Sequence, residues 1–480
     1  MANLRPTTAA TGFGPLLAVF YGCGFLAGFN ENLVNMALVA IMGDFAVDAV
    51  TAQWLVTGYM IAVTVVVTCM AYLYRRFTLR TLFFAASALS IAGSVGGLMA
   101  PNFALLLVAR LVQAAGTGVF IPLMMNVIVD KVPHENMGSY LAVGSAMITI
   151  GPATAPIVTG FMVSDLGWRS VFVVPLAVAV LLTVLGAFVV RDERRSHPAA
   201  FDVPSALLVA AGVTLLSVGL SEVSSRPAVG VAALAAAVAF LAGFARRQKR
   251  LESPLVSLAP FGHRAFWPAV VLVVITMMTY FSLSVMAPLY FEEAAGLAAS
   301  LAGVLMVAPV LANATASVLS GRALDRRGEW PLLPAGLGIA SVGIALAALG
   351  ASPALAGTLG LAGVDAAVGL PVVVAGIFLG YLGTGMVLSP AQTAGLRRLP
   401  DELDSHGVTL MSMAVQLAAC LGPAAYVGIM SSTSAAAANA GVAPAAASSA
   451  GFAWAMVAAL AVALFGAAAA FLYARALRRR

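Results

Sequence analysis

Charged residues are scarce in this chain and make up only 9% of its 480 residues. Soluble globular domains carry about 25% charged residues. With so little charge, a chain of this length cannot cover a surface that faces water. Hydrophobic residues account for 61% of the sequence, and the mean hydropathy is +1.01. The composition therefore predicts an integral membrane protein.

Cysteine and histidine are also rare, with three and four residues. Cys23, Cys69 and Cys420 lie within apolar runs, without the spacing of a disulfide framework or a metal site. The sequence contains no phosphate-binding loop, nucleophile elbow or metal-ligand cluster. These absences argue against an ATP-driven pump and against an enzyme, and they predict that no cofactor is needed. The net charge of +6 does not indicate nucleic-acid binding, because the basic residues form no patch interleaved with aromatics.

Apolar runs of about 20 residues recur along the chain, and each is long enough to cross a hydrocarbon core of about 30 Å. Such long runs predict helices rather than barrel strands, so we expect an all-α membrane fold. The fourteen predicted transmembrane helices are 14–42, 50–72, 80–100, 103–128, 137–163, 170–190, 204–222, 228–245, 266–291, 298–320, 331–350, 368–393, 407–430 and 451–474.

The distribution of Lys and Arg predicts the orientation. If the N-terminus is inside, nearly all of the 25 basic residues fall in inner loops. Only Arg169 and Arg226 fall outside, and Arg110 lies within a span. Short cytoplasmic loops carry an excess of basic residues, so this bias predicts a multi-pass protein of a bacterial-type cytoplasmic membrane with both termini in the cytoplasm.

Two loop segments repeat each other, "AYLYRRFTLR" at 71–80 and "GRALDRRGEW" at 321–330. If the two helices within 204–245 are left out of the count, each segment leads into the third helix of a six-helix half. We therefore predict an N-terminal six-helix bundle at 1–195, two additional helices with their loops at 196–264, and a C-terminal six-helix bundle at 265–480. Paired halves are typical of transporters that bind substrate at mid-membrane between them.

Several motifs add a family resemblance that covers nearly the whole chain. "GRALDRRG" is similar to the cytoplasmic loop motif of the major facilitator superfamily, and "LLLVARLVQAAGTG" to its fourth-helix motif. "IGPATAPIVTG" is similar to the fifth-helix motif of drug:proton antiporters, and "FNENLVNMAL" resembles the lincomycin-resistance-type exporters of the fourteen-helix family. The resemblance implies conformational roles for Arg76, Gly151, Pro152, Pro156, Gly321, Asp325, Arg326 and Gly328.

The sequence departs from the family pattern at two positions. Asn30 stands where most of the wider family has Asp in the first helix, which bears on the identity of the proton carrier. Arg75 stands where the first cytoplasmic loop usually has Asp, which weakens the expected loop–helix charge contact in the N-terminal half. Asp325 could preserve such a contact in the C-terminal half.

Glu31 is the acid that we place deepest in any predicted span. An ionised side chain at that depth costs at least about 2.5–3.5 kcal/mol, so we expect Glu31 to face a cavity and to be protonated for part of a cycle. Asn35, four residues on, is expected on the same helix face, and Asn30 and Asn32 flank the acid. The alternative is that this polar cluster only joins neighbouring helices.

Arg110 remains charged at any depth and therefore needs an anionic or carbonyl partner. Gln113 and Thr117 share its helix face. We expect Arg110 to tune proton coupling, with direct pairing to Glu31 as a further hypothesis. A purely structural arginine between helices is the alternative.

Other polar and aromatic residues within spans are candidates for substrate contact. Tyr280, Phe281 and Tyr290 could stack on flat substrates, and the alternative, chiefly for Tyr290, is an aromatic belt at the outer membrane interface. The expected substrate-binding residues are Asn30, Asn32, Asn35, Gln113, Asn126, Asn313, Tyr280, Phe281, Gln392 and Gln416.

The resemblance implies a monomeric, proton-driven exporter of hydrophobic or cationic drugs that works by alternating access. Its expected partners are protons, a small-molecule substrate and the lipid bilayer. Two alternatives stay open from the sequence. One is a proton-coupled or facilitative transporter of an endogenous metabolite or lipid, and the other is a membrane scaffold or sensor that does not transport.

Overall fold

The computed structural model describes residues 13–47, 49–191, 201–222, 226–251, 254–297, 299–328, 331–352 and 366–478. These residues form fifteen α-helices, short 3₁₀ turns and one π-helical segment, and they contain no strand. The helices are α1 (Gly14–Asn32), α2 (Leu38–Phe45), α3 (Ala49–Arg76), α4 (Leu79–Met99), α5 (Phe103–Lys131), α6 (Met137–Leu166), α7 (Val173–Val189), α8 (Val203–Glu222), α9 (Pro227–Gln248), α10 (Phe266–Leu289), α11 (Ala299–Arg327), α12 (Leu332–Ala351), α13 (Ala366–Leu396), α14 (Asp404–Asn439) and α15 (Pro444–Arg478).

The all-helical membrane fold predicted from hydropathy is confirmed. In the described part of the chain, eleven helical segments are long and apolar enough to cross a membrane. The chain is therefore a multi-pass protein, while the total of fourteen spans and the orientation of the termini remain predictions.

The first predicted helix, 14–42, is broken in the structure. Helix α1 ends at Asn32, a 3₁₀ turn occupies Asn35–Ala37, and α2 follows. Asn35 is exposed whereas Glu31 is buried, so the prediction that they share one helix face is wrong. The amide of Asn35 donates to Oδ1 of Asn32 at 2.9 Å. Asn side chains also tend to bond nearby backbone groups in non-helical conformations, so several asparagines in succession favour a helix end.

The last two helices extend well beyond the predicted spans 407–430 and 451–474. Helix α14 continues to Asn439 and α15 begins at Pro444. Between these spans the chain is rich in Ala and Ser, and Ala has the highest helix propensity of all residues. Gly441, at φ +84°, lies in the turn between the two helices. Hydropathy locates the membrane core, but it does not locate the end of a helix.

The helices pack mainly within two groups, called the N-terminal set (α1–α7) and the C-terminal set (α10–α15). In the first, α5 packs on α1, α3 and α4; in the second, α13 packs on α10, α11 and α12. The pair α8–α9 packs together, and α8 also contacts α3 and α14. The predicted boundary at 195 lies outside the described residues, and the division into bundles at 195 and 264 remains a prediction.

Contacts between the two sets involve chiefly α6 with α11 and α3 with α14. On one side of the molecule, α3, α5 and α11 end near Arg75, Lys131 and Arg326, and Arg397 follows the end of α13 and pairs with Asp325 of α11. We call this the arginine-rich side. The surface formed there by α3, α6, α11 and α14 is called the seam. It closes that side of the space between the two sets.

Candidate functional site

Glu31 lies in the last turn of α1 and is only 3% exposed. Its carboxyl group lines a narrow cavity of about 10 Å³, which is about the space that one water molecule occupies. None of the ion pairs in the described part of the chain includes Glu31. Polar residues lining the cavity come from α1, α3, α5 and α14, and they are Glu31, Tyr59, Thr117, Ser412 and Gln416.

Gln416 faces Glu31 across this cavity from the C-terminal set. Its Nε2 atom is buried beside Glu31 but makes no hydrogen bond of good geometry with any acceptor in the described residues. The amide can therefore donate to a carboxylate or to a bound molecule after a small movement. Of the predicted substrate-binding residues, the structure brings Gln416 to the cavity of Glu31.

The end of α1 is held by its backbone rather than by the side chain of Asn30. The Asn30 carbonyl accepts from Leu33 N at 3.4 Å and from Arg110 Nη2 at 3.1 Å. Asn30 is fully buried, and neither polar atom of its side chain has a partner among the described residues. An unsatisfied buried amide is unfavourable, which makes this side chain a candidate contact for a substrate.

Two prolines in α6 explain how this helix approaches α1. A proline lacks the N–H that would bond the carbonyl four residues earlier, so Pro152 frees Ile148 O and Pro156 frees Pro152 O. Asn32 Nδ2 donates to Pro152 O at 3.4 Å. Ile148 O lies so near Gly28 that a Cβ there would be 2.6 Å away. The freed carbonyls thus face α1, beside the buried acid.

Gly151 contributes to the same close packing, because a Cβ on it would lie 2.6 Å from Phe25 O. A side chain at this position would push α6 away from α1. Gly151 and Pro152 thus lie in the close α1–α6 contact, while the conformational roles of Gly151, Pro152 and Pro156 remain predictions.

Arg110 is fully buried in α5, where its guanidinium reaches several acceptors. Nη1 donates to Gln113 Oε1 at 2.6 Å, and Nε donates to Leu55 O at 3.5 Å. The guanidinium also lies 4.1 Å from the ring centroid of Tyr59, which is a cation–π contact. No ion pair between Arg110 and Glu31 occurs in the described part of the chain. Arg110 instead holds α1 through the Asn30 carbonyl.

The contacts of Arg110 continue through neighbouring polar groups. Gln113 Nε2 donates to Ser94 Oγ at 2.9 Å, and the hydroxyl groups of Tyr59 and Thr117 are 2.6 Å apart. This network fixes the α3 and α5 walls of the cavity. Gln113 lies behind the guanidinium rather than on the cavity surface.

A second polar and aromatic group lies in the C-terminal set. Tyr280 packs edge-on against Phe281 and Tyr381, and its hydroxyl donates to Thr149 O of α6 at 2.8 Å. Asn313 donates to Tyr381 O at 2.9 Å. Oδ1 of Asn313 and the hydroxyl of Tyr381 are buried without partners among the described residues. This group joins the two sets at depth.

The remaining predicted polar residues have local partners. Asn126 donates to Pro122 O within its own helix at 2.9 Å. Gln392 accepts from Ser145 Oγ at 3.2 Å, a contact between the two sets. Neither residue lines the cavity of Glu31.

The sequence and fold comparisons agree with this architecture. Residues 20–423 match the family described as the Major Facilitator Superfamily. The chain belongs to this superfamily. The resemblance seen in the loop and helix motifs is thereby confirmed, and the chain is a transporter-family protein rather than a member of an enzyme family.

Three individual members of the superfamily share between 16% and 30% sequence identity with this chain. The lincomycin resistance protein LmrB of Bacillus subtilis is 30% identical over 423 residues, covering 87% of this chain and 85% of LmrB. The riboflavin transporter RibZ of Clostridioides difficile is 23% identical, covering 84% of this chain and 85% of RibZ. The proton:xylose symporter XylE, bound to 6-bromo-6-deoxy-D-glucose, shares 16% identity with a TM-score of 0.64, and the alignment covers 95% of each chain. This last likeness concerns the fold alone.

The superfamily loop motif at 321–328 lies in the seam. Asp325 accepts from Gly138 N and Ser139 N of α6 and also pairs with Arg397. Gly321 packs against the α6 backbone, where a Cβ would be 2.5 Å from Gly138 O.

The other residues of the loop motif are less closely packed. Gly328 adopts φ +75°, a conformation that glycine tolerates best, and Arg326 is exposed. In the first copy of the loop, Arg76 lies 5.9 Å from the ring of Phe77.

Three residues of these sites were missed by the sequence analysis. Tyr59 and Ser412 line the cavity, and Tyr381 carries one of the unsatisfied hydroxyl groups. Tyr59 stands in the stretch "TAQWLVTGYM", but nothing in a single hydroxyl or aromatic residue distinguishes cavity lining from ordinary packing. Only their positions in the folded structure identify them.

Proposed function

We propose that this chain is a secondary exporter that exchanges inward-moving protons for outward-moving hydrophobic or cationic compounds, including antibiotics. The single observation that carries the proposal is the isolated acid Glu31 in a small cavity between the two helix sets. The similarity to a lincomycin resistance protein supports the compound class.

A buried carboxyl group without a cation partner suits proton coupling. Its charged form is costly in the membrane, so proton binding and release change the energy of the closed state. Gln416 could donate to the charged form, and a cationic substrate could replace the proton. Proton and substrate would then compete for one site, which is the requirement for exchange.

The cavity must open during such a cycle. Drug-sized ligands occupy pockets of about 300–1,000 Å³, far more than the about 10 Å³ beside Glu31. The seam closes the arginine-rich side in this structure, so opening there requires α6 to part from α11 and α3 from α14. In this scheme the two helix sets rock about the site, and no cofactor takes part.

A second candidate function is transport of an endogenous metabolite. The relation to a riboflavin transporter favours it, as does the aromatic group around Tyr280 and Tyr381, which could stack on a flat ring system. Glu31 would then couple uptake or release of the metabolite to protons, or would only orient it.

The proposal is tested in energised inside-out membrane vesicles by following the pH gradient. Lincosamides, cationic dyes, biocides and riboflavin are added in turn to vesicles that contain wild type or Glu31→Gln. We expect one or more drugs to dissipate the gradient in wild type and not in Glu31→Gln. Glu292→Gln is the matched control, because Glu292 is an exposed acid far from the cavity.

Each other result has a defined meaning. Dissipation by drugs in both wild type and Glu31→Gln would keep export and remove Glu31 from its role. Dissipation by riboflavin alone would favour metabolite transport. A gradient that no compound affects in wild type would contradict proton-coupled export of these compounds.

A further inference from the structure

The two copies of the loop motif occupy equivalent places in the seam but carry opposite charges. Asp325 at the end of α11 faces the start of α6, and Arg75 near the end of α3 lies on the side of α14. The α3–α14 contact is therefore the counterpart of the α6–α11 contact when the two helix sets are interchanged. In the α6–α11 contact a carboxylate, Asp325, joins the two helices. In the α3–α14 contact the residue aligned with Asp325 is Arg75.

An arginine cannot copy the contact that Asp325 makes. A helix N-terminus presents N–H donors and a positive dipole end, which bind a carboxylate and repel a guanidinium. A carboxylate at position 75 would be repelled, because Asp401, Glu402 and Asp404 cluster at the start of α14. These acids would attract Arg75, but within the described residues Arg75 forms no ion pair with any of them, and its guanidinium donates to Ala71 O and Pro254 O instead. The α3–α14 part of the seam is therefore joined through a segment that accepts from Arg75 and donates to α14.

Residues 254–258, between α9 and α10, have both properties, and we call them the strap. Arg75 Nη2 donates to Pro254 O at 3.3 Å. Three residues on, the backbone N–H of Ser257 donates to Nδ1 of His406, in the first turn of α14, at 3.0 Å. One short segment thus bonds α3 with its carbonyl and α14 with its amide.

The strap is also anchored by burial. Leu255 and Val256 are fully buried and belong to the same apolar cluster as Tyr74 of α3 and Val408 of α14. A loop on the surface of a transporter would usually keep such side chains partly exposed. Their full burial indicates a built contact rather than a loose connection.

The helix pair α8–α9 also forms hydrogen bonds that hold the strap. Val256 N donates to Gln248 Oε1 at 3.2 Å, and Gln248 Nε2 donates to Ser205 Oγ at 2.6 Å. Arg247 pairs with Asp202 at 3.0 Å at the same end of the helix pair. The network therefore runs from the start of α8 through the end of α9 to the strap.

We propose that the strap, supported by α8–α9, clamps α3 to α14 and holds the arginine-rich side closed, taking the place of the acid contact that Arg75 cannot make. The strap has to release whenever that side opens. This assigns the additional helix pair a part in the conformational cycle. The proposal depends on the transporter fold and not on the exporter function proposed above, so the two can fail separately.

The test measures how often the seam opens, without any substrate or proton gradient. Ser145→Cys is introduced in a background with Cys23, Cys69 and Cys420 replaced by Ala. Ser145 is 2% exposed and bonds Gln392 across the sets, so its replacement can react only when the sets part. The protein is placed in nanodiscs and the rate of reaction with a water-soluble maleimide is measured.

Arg75→Gln and His406→Leu cut the strap at its two ends, and Arg322→Gln removes an exposed arginine from the same side as the matched control. Loss of one such hydrogen bond should raise the labelling rate about fivefold in either strap variant. The double variant should exceed the larger single effect only slightly, because both changes cut the same bridge. Arg75 is only partly buried, so Arg75→Gln is compatible with folding even if His406→Leu is not.

A labelling rate for Arg75→Gln equal to that of Arg322→Gln would overturn the proposal. So would fully additive effects of Arg75→Gln and His406→Leu, which would show that the two residues act independently.

Discussion

Asp325 of α11 and Ser139 of α6 are joined by two hydrogen bonds to one carboxylate oxygen. Oδ2 of Asp325 accepts from Ser139 N at 2.7 Å and from Ser139 Oγ at 2.6 Å. Its other oxygen accepts from Gly138 N at 3.1 Å and from Arg397 at 2.9 Å. The carboxylate thus caps the first turn of a helix in the opposite set, where N–H groups lack helical partners.

This relationship predicts the effect of Asp325→Asn. The amide keeps one acceptor oxygen but loses the charge and turns a donor toward Ser139 or Arg397. Hydrogen bonds to a charged group contribute about 1.5–3 kcal/mol, so the closed form of the seam should lose about tenfold in population. The rate of maleimide labelling of Ser145→Cys should rise accordingly. Arg322→Gln, an exposed arginine on α11, should leave the rate unchanged. An equal rise in Arg322→Gln would show that the carboxylate of Asp325 is not specifically responsible.

Much of the fold could be predicted from the sequence because apolar length is a direct physical requirement of the membrane. The break after Asn32 could not be, because an uninterrupted apolar helix and a broken one have the same hydropathy. The continuation of α14 to Asn439 could not be predicted either. It depends on the helix propensity of alanine outside the apolar run.

Part of the candidate site could also be predicted from the sequence, again because of an energetic requirement of the membrane. Glu31 is conspicuous because an acid within an apolar run has a large energetic cost. Ser412 and Tyr59 are not, since serine and tyrosine residues occur in many spans without a functional role. The partner of Arg110 could not be predicted either. It is the backbone carbonyl of Asn30, and every residue has such a carbonyl.

Gly321 tests the close crossing of α6 and α11. A Cβ at this position would lie 2.5 Å from Gly138 O, so Gly321→Val must push the two helices apart. We expect the seam to open, with labelling of Ser145→Cys increased by about tenfold or more, since overpacking costs about 1–3 kcal/mol. Gly303→Val is the matched control on the same helix, because nothing lies within 4 Å of a Cβ there. Similar labelling of both valine variants would show that the crossing tolerates separation.

Asp202 predicts a pH dependence of stability at the end of α8–α9. Burial by itself raises the pKa of Asp202, but hydrogen bonds from Arg247 and Ser205 outweigh burial and hold the pKa below its usual range. A carboxylate whose pKa is lowered by folding stabilises the fold above its unfolded pKa, about 3.9. The contribution is lost as pH falls through the folded pKa.

Asp202→Asn should therefore lower the Tm of the purified protein by about 1–2 °C at neutral pH, as expected for a partly exposed pair. The difference from wild type should begin to shrink below about pH 4, where the carboxylate of the unfolded chain becomes protonated while that of the folded protein is still charged. It should disappear only below the lowered pKa of the folded protein. Thermal unfolding followed from about pH 2.5 to 8 measures it. Asp165→Asn, at the other end of the bundle, serves for comparison. A Tm difference that stays constant across this range would show that the charge of Asp202 is not responsible.

Arg110→Lys separates the shape of the guanidinium from its charge. The planar fork of Arg110 reaches Asn30 O, Gln113 Oε1 and Leu55 O together, whereas a single ammonium group cannot reach all three. The end of α1 should become less well fixed, and proton-coupled exchange in inside-out vesicles should fall about tenfold with the charge retained. Because Arg110 acts on Glu31 through α1, the pH profile of exchange should shift as well. Arg80→Lys, at an exposed site on α4, should change neither rate nor profile. A normal rate and profile in Arg110→Lys would show that a positive charge alone suffices at this position.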